Sequence, residues 1–144
     1  MQPLPHRYAV AAEAAAEGHV RLSASGLADL ESAAPSEFDG PGDRWSPETL
    51  LVAAVADCFV LTFRAVARAS SYAWTRLRCD AEGVLERTPE GTRFTAIRLR
   101  AELEAPAGSD PARGERLLAK AEKGCLVSNS LKAEIQLEAR VRTS

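Results

Sequence analysis

Over residues 7–32 the hydrophobic pattern comes in short, broken runs. RYAVAAEAAAEGHVRLSASG is rich in alanine, a helix former, but Gly18 and Gly26 interrupt it and HVRLSAS alternates with a period of two. That alternation predicts two or three short strands. Residues 33–45, AAPSEFDGPGDRW, hold two prolines, two glycines and three acids and predict a loop. The pattern changes at Ser46. Ser46-Pro47-Glu48 sets a hydroxyl N-cap, then proline at the first helical position, then an acid near the positive end of the helix dipole. The helix is expected to run to about Ala69. Between Leu50 and Phe63 only Asp57 and Thr62 are polar. A helix that is apolar on every side must be covered on every side. The run is too short, and Asp57 too central, for a membrane span. A chain of 144 residues can hardly wrap such a helix alone, so a second copy is the expected cover and a homodimer is predicted.

After Ser70-Ser71, two period-two segments, WTRLRCDAEGVLER and TRFTAIRLRAELEA, flank a Thr-Pro-Glu-Gly turn. Leu77, Cys79, Ala81 and Leu85 share one face of the first. Ile97, Leu99, Ala101 and Leu103 share one face of the second, and together the two predict a β-hairpin. Asp110-Pro111 starts a second helix that should stop near Gly124. Cys125 to Leu131 follows as a short turn or helix, and Ile135, Leu137, Ala139 and Val141 alternate in a final strand. Strands, long helix, hairpin, helix and strand make an α+β fold, read as a single domain over residues 1–144.

Composition narrows the function. Lysine plus arginine number 18 and aspartate plus glutamate 20, a net charge of −2, which leaves no basic field for nucleic acid or an anionic membrane. Alanine fills 27 positions and aromatics make up only 6% of the chain, so the core of a lone subunit would be thin. The opening MQPLPHRYAV has no apolar stretch followed by a small-residue cleavage site, so no secretory signal is expected, and the expected location is the cytoplasm, where cysteines stay reduced. No CxxC, HExxH or clustered acid set is present, and neither His6 nor His19 has a partner at metal-ligand spacing, so no metal site is expected.

Chemistry therefore rests on three cysteines, Cys58, Cys79 and Cys125. Cys79 shares a face with Leu77 and reads as packing. Cys58, mid-helix, is either a small buried hydrophobe or a thiol with a task. Cys125 is either a small residue at a tight junction or a thiol whose pKa a new helix start lowers. They lie 67 residues apart, so periodicity does not decide whether they meet. Glu48 reads first as a helix-dipole acid. Ten residues of helix separate it from Cys58, roughly 15 Å and roughly 280° of rotation, so the two cannot touch within one helix. Were they to serve one site, a bridging group or a second subunit would have to connect them.

Two stretches resemble a known family. SPETLLVAAVADCF (46–59) and AEKGCLVSNSLKAEIQLEARV (121–141) are similar to the two signatures of the OsmC/Ohr proteins, the osmotically inducible and organic hydroperoxide resistance proteins. The order of elements between them also matches. The resemblance implies an OsmC-like fold, with antiparallel sheets wrapped around a long central helix in an intertwined homodimer. It implies a thiol peroxidase in which Cys58 is the peroxidatic cysteine, Cys125 the resolving one, and Glu48 the acid that orients an arginine against the thiolate. Substrates would be organic hydroperoxides, favoured by an apolar site. The reductant would be a lipoyl-type or thioredoxin-type dithiol, with no bound cofactor.

The chain departs from the family at its arginine. One family location holds AAAEGH here, and the other holds Glu37 before Phe38-Asp39-Gly40. Arg44 and Arg21 are the candidate substitutes, although no motif places them. Asp57, beside Cys58, would raise the thiol pKa if it pointed at the sulfur. Two alternatives follow. One is a non-catalytic stress protein of the same fold that binds an apolar small molecule at the dimer interface. The other is a hot-dog-type thioesterase, disfavoured by the paired cysteine motifs and the lack of a placed second acid or histidine.

Overall fold

A computed structural model describes residues 1–144, which divide into two compact units, Met1–Leu50 and Leu51–Ser144. In the first, β1 (Ala11–Glu13), β2 (Val20–Ser23) and β3 (Leu30–Ser32) form an antiparallel meander with Ala12 opposite Leu22 and Arg21 opposite Glu31. The predicted loop follows, tightened by a 3-10 turn at Ser36–Phe38. Gly40 is required there, because a Cβ on it would fall 1.7 Å from the Ala34 carbonyl oxygen. This unit buries only Ser32 and Ser46, and leaves Tyr8, Val10, Phe38 and Trp45 exposed.

Helix α1 (Pro47–Ala69) starts where the sequence places it. The Ser46 hydroxyl accepts from the Thr49 amide at 3.1 Å, and the Thr49 hydroxyl accepts from the Ser46 amide at 2.9 Å. Threonine thus takes the part that glutamate or glutamine plays in a capping box. Further along, Val55, Phe59, Phe63 and Ala67, four residues apart, form the stripe that enters the core of the second unit. This is a core helix rather than a membrane span. Its other faces are not covered equally: Leu61 is 51% exposed, and Ala54 and Ala65 are exposed too.

Strands β4 (Arg76–Thr88) and β5 (Gly91–Ala105) form the hairpin around the Pro-Glu turn. Ile97, Leu99, Ala101, Leu103 and Ala105 point inward. Arginines and acids fill alternate positions outside, paired as Arg98–Glu82 at 3.1 Å and Arg76–Glu104 at 3.4 Å. A bulge between Val84 and Leu85 resets the alternation and leaves Leu85, expected on the inner face, 38% exposed.

Helix α2 (Pro111–Gly124) is capped by Asp110, whose Oδ1 accepts from the Ala112 amide at 3.0 Å. It buries Gly114, Leu117, Leu118 and Ala121, one face of an amphipathic helix. A single turn, α3 (Leu126–Asn129), precedes β6 (Glu134–Thr143). The α+β class is as expected, but the second sheet is mixed rather than antiparallel. Strand β6 pairs in parallel with β5, Ile135 beside Ile97 and Val141 beside Leu103. The crossover through α2 causes this, since a helix that returns the chain to the starting end of the sheet delivers the next strand in the same direction.

The junction of α1 and α2 is held by Tyr72, buried just after Ser71 turns the chain at φ 51°. Its hydroxyl donates to the Asp110 carbonyl at 3.2 Å, and the Arg113 guanidinium lies 5.6 Å from the ring centroid while donating to the Ser70 carbonyl. Gly114 makes room for that hydroxyl: a Cβ there would sit 2.6 Å from Tyr72 Oη and 3.2 Å from Val141 Cγ2. Gly114→Ala would gain about 1 kcal/mol of helix propensity. It would lose about 1–3 kcal/mol to overpacking against a ring that is hydrogen-bonded in place. Urea unfolding should therefore show a lowered midpoint at unchanged slope, and a midpoint at or above that of the parent would contradict this packing.

Candidate active site

Cys58 lies on α1 one residue before the buried Phe59, half-buried at the margin of the core stripe. Cys125 occupies the single extended residue between α2 and α3, capping the first and opening the second, and is fully buried. The row Leu118, Ala121 and Cys125 continues the buried face of α2, which directs the second thiol toward α1. The α3 turn is pinned by Asn129 Nδ2, which donates to the Lys123 carbonyl at 3.0 Å, and by Ser130 Oγ, which donates to the Leu126 carbonyl at 2.8 Å.

The two sulfurs are neighbours, each influencing the other's ionisation. Burial is the largest influence on Cys58 and opposes its ionisation. Thr62 hydrogen-bonds its sulfur, and with the Val127 and Leu126 amides and the Cys125 thiol nearby it brings the Cys58 pKa below the ordinary thiol value. Thr62 Oγ1 stands 3.9 Å from Sγ. Cys125 goes the other way: burial raises its pKa, and the neighbouring Cys58 adds to the rise. Ser128 works against that rise, its buried hydroxyl facing the sulfur without reaching hydrogen-bond geometry. In this pair Cys58 is the more readily ionised thiol, with Cys125 beside it. The sequence argument assigned the helix-start amides to Cys125. In the structure those of Leu126 and Val127 serve Cys58 instead, because Cys125 is the cap of that turn rather than a thiol lying beyond it.

The remaining candidates stand elsewhere. Cys79 is half-buried in β4, its pKa pushed up to about 11 by burial and by Asp80. Asp57 is exposed and is not among the groups acting on the Cys58 sulfur. Arg44 is engaged by Glu31 at 3.2 Å and Asp43 at 3.1 Å, and Arg21 by Glu13 at 3.1 Å and Asp29 at 3.9 Å. No cation is among the groups acting on Cys58. Glu48, in the first turn of α1, lines a largely apolar cavity of about 290 Å³ with Val20, Ala34, Pro35 and Phe38. Its Oε2 is buried without a hydrogen-bond partner. No three or more metal-ligating side chains are clustered. Sequence reasoning missed Thr62 and gave the α3 amides to Cys125 rather than to Cys58. The one available signal was that Thr62 breaks an otherwise apolar run one helical turn after Cys58.

The paired cysteines on a long helix and on a helix-to-helix junction define a class of protein, and comparison with known proteins agrees. Residues 40–140 match the family model described as OsmC-like protein, so the chain belongs to the OsmC-like family. It is 32% identical over 113 residues, 75% of each chain, to the uncharacterized protein YmaD of Bacillus subtilis. It is also 32% identical over 98 residues, 68% of each chain, to the peroxiredoxin OsmC of Escherichia coli. Among solved structures, an OsmC-like protein of unknown function from Vibrio cholerae superposes with a TM-score of 0.86 at 20% identity, covering 94% of this chain and 99% of the other. An organic hydroperoxide resistance protein OsmC from Legionella pneumophila gives 0.76 at 28% identity, covering 96% and 98%.

The thiol order is directly measurable. A lowered pKa means a larger thiolate fraction at any given pH, so limiting iodoacetamide at about pH 7 should label Cys58 first. Cys125, fully buried and with its pKa raised, and Cys79, pushed up to about 11, should both lag behind it. Peptide mass spectrometry reads the order, and labelling of Cys125 ahead of Cys58 would contradict the electrostatics described above.

Proposed function

We propose that this protein is a thiol peroxidase that reduces organic hydroperoxides. The observation that carries the reading is the Cys58–Cys125 pair, in which one thiol is readied for ionisation and the other lies beside it. The Cys58 thiolate attacks the distal oxygen of R–O–O–H. The S–O bond forms as the O–O bond breaks, and the departing alkoxide takes a proton to leave as an alcohol, with sulfenic acid on Cys58. Cys125 then attacks that sulfur, expelling water and closing a disulfide. An external dithiol of lipoyl or thioredoxin type returns both cysteines to thiols by exchange and is itself oxidised to a disulfide. This sequence of steps requires neither metal nor organic cofactor.

Support comes from family membership, from the peroxiredoxin OsmC of Escherichia coli and from the Legionella hydroperoxide resistance protein. The apolar neighbours of Cys58 on α1 favour a bulky organic oxidant over hydrogen peroxide. A homodimer is part of the proposal: Leu61 on α1 and Tyr8, Val10, Phe38 and Trp45 on the first unit call for cover that a second copy would provide. Glu48 enters as the proposed acid of the site, on the resemblance and on its unpaired buried oxygen. The cytoplasm is the proposed location.

A second reading, a non-catalytic protein that holds an apolar small molecule, is favoured by the absence of a cation at Cys58 and by the apolar cavity beside Glu48. Turnover separates the two. Purified protein supplied with dihydrolipoamide should consume cumene hydroperoxide over many cycles. Cys58→Ser should abolish consumption, and Cys125→Ser should lower it at least about tenfold by leaving the sulfenic acid unresolved. A wild-type protein inert with both lipoyl-type and thioredoxin-type dithiols would overturn the proposal in favour of the binding role.

A further inference from the structure

We propose that Thr62 is a catalytic residue of this site, its hydroxyl donating to the Cys58 sulfur and holding the reactive thiolate in a site without a cation; the assignment rests on the peroxidase reading above. Thr62 follows Cys58 by one helical turn, so both side chains lie on the same face of α1. A helical threonine commonly returns its hydroxyl to a carbonyl three or four residues back, and that bond accounts for one of its two favoured rotamers. Here the hydrogen bond that Thr62 makes is to Sγ of Cys58, at 3.9 Å, within reach for the large sulfur atom.

The surroundings of the methyl are consistent with this arrangement. A Cβ built on Gly124 would lie 3.6 Å from the Thr62 γ-methyl, so the last residue of α2 closely faces that methyl while the hydroxyl faces the sulfur. Gly124 immediately precedes Cys125, so Thr62 meets the reactive atom with one branch and faces the segment carrying its partner thiol with the other. Among the groups that favour the thiolate, the α3 amides belong to the main chain and Cys125 is consumed in the reaction. Thr62 is the side-chain donor that survives a catalytic cycle unchanged. When the sulfur ionises, a donor beside an anion shortens and strengthens its bond.

The consequence has a signature that a purely structural role would not produce. Stabilising a thiolate enlarges its population but reduces its intrinsic nucleophilicity, with a sensitivity of about 0.4–0.5. Below the thiol pKa the population effect wins; above it, only the nucleophilicity effect remains.

The test follows the alkylation rate at Cys58 of the full-length reduced protein, resolved by peptide mass spectrometry across about pH 5 to 10. Thr62→Val keeps the shape and the γ-methyl and removes the donor. Its midpoint should rise by about 0.5–1 pH unit. Its rate at about pH 7 should fall roughly two- to threefold, while its alkaline plateau matches or exceeds that of wild type. Thr62→Ser, which keeps the hydroxyl, should restore the midpoint. A Thr62→Val profile that overlays wild type overturns the assignment, as does a Thr62→Ser profile displaced as far as that of Thr62→Val. Alkylation needs no peroxide, so the two proposals fail separately. A midpoint shift in a protein that consumes no hydroperoxide supports the Thr62 contact and removes the peroxidase reading. Turnover by wild type with unshifted Thr62→Val does the reverse.

Discussion

The meeting of two sulfurs depends on one packed seam, the stripe of Val55, Phe59, Phe63 and Ala67 that α1 shares with Leu117, Leu118 and Ala121 of α2 in the same core. Cys58 is interleaved with the first stripe and Cys125 lies one turn beyond the second, so neither sulfur needs a dedicated loop to reach the other. Rigid elements hold a reactive pair more accurately than loops do. The clamp of Tyr72, Arg113 and Asp110 fixes α1 to α2 at the opposite end and keeps the seam in register.

Electrostatics then distinguish two chemically identical groups. Burial opposes ionisation at both, and the difference lies in what surrounds each sulfur. Cys58 has two main-chain amides, a hydroxyl and a thiol that favour its thiolate, whereas Cys125 is wholly enclosed and sits beside the more readily ionised sulfur. In the proposed peroxidase, the division of labour between attacking and resolving thiol would follow from geometry around uncharged donors. Arg44 and Arg21, the cations that sequence reasoning offered, are engaged by acids within their own unit.

Much of this was legible in the amino-acid order, for identifiable reasons. The start of α1 was readable because Ser46-Pro47 is a local signal, and the hairpin because alternation with a period of two persists over both strands. The bulge at Val84/Leu85 was not, since nothing local marks where one pleat gains a residue. The parallel seat of β6 depends on where α2 delivers the chain, a tertiary fact. Cys58 and Cys125 were each visible, but their contact spans 67 residues and only the resemblance joined them. The outward turn of Asp57 could have been read from helical phase, being about 200° from Phe59 at 100° per residue. Thr62 was noticed only as an interruption of an apolar run, because its meaning depends on the sulfur one turn away and on Gly124 across the seam.

The most direct test of the seam is what a single oxidation leaves behind. Reduced protein would be treated with one equivalent of cumene hydroperoxide, its remaining thiols blocked with iodoacetamide, and its peptides mapped without reduction. An intramolecular Cys58–Cys125 disulfide, with Cys79 recovered as a free thiol, is the result this account predicts. Cys58 recovered as sulfinic acid beside an alkylated Cys125, or three thiols left untouched, would contradict it.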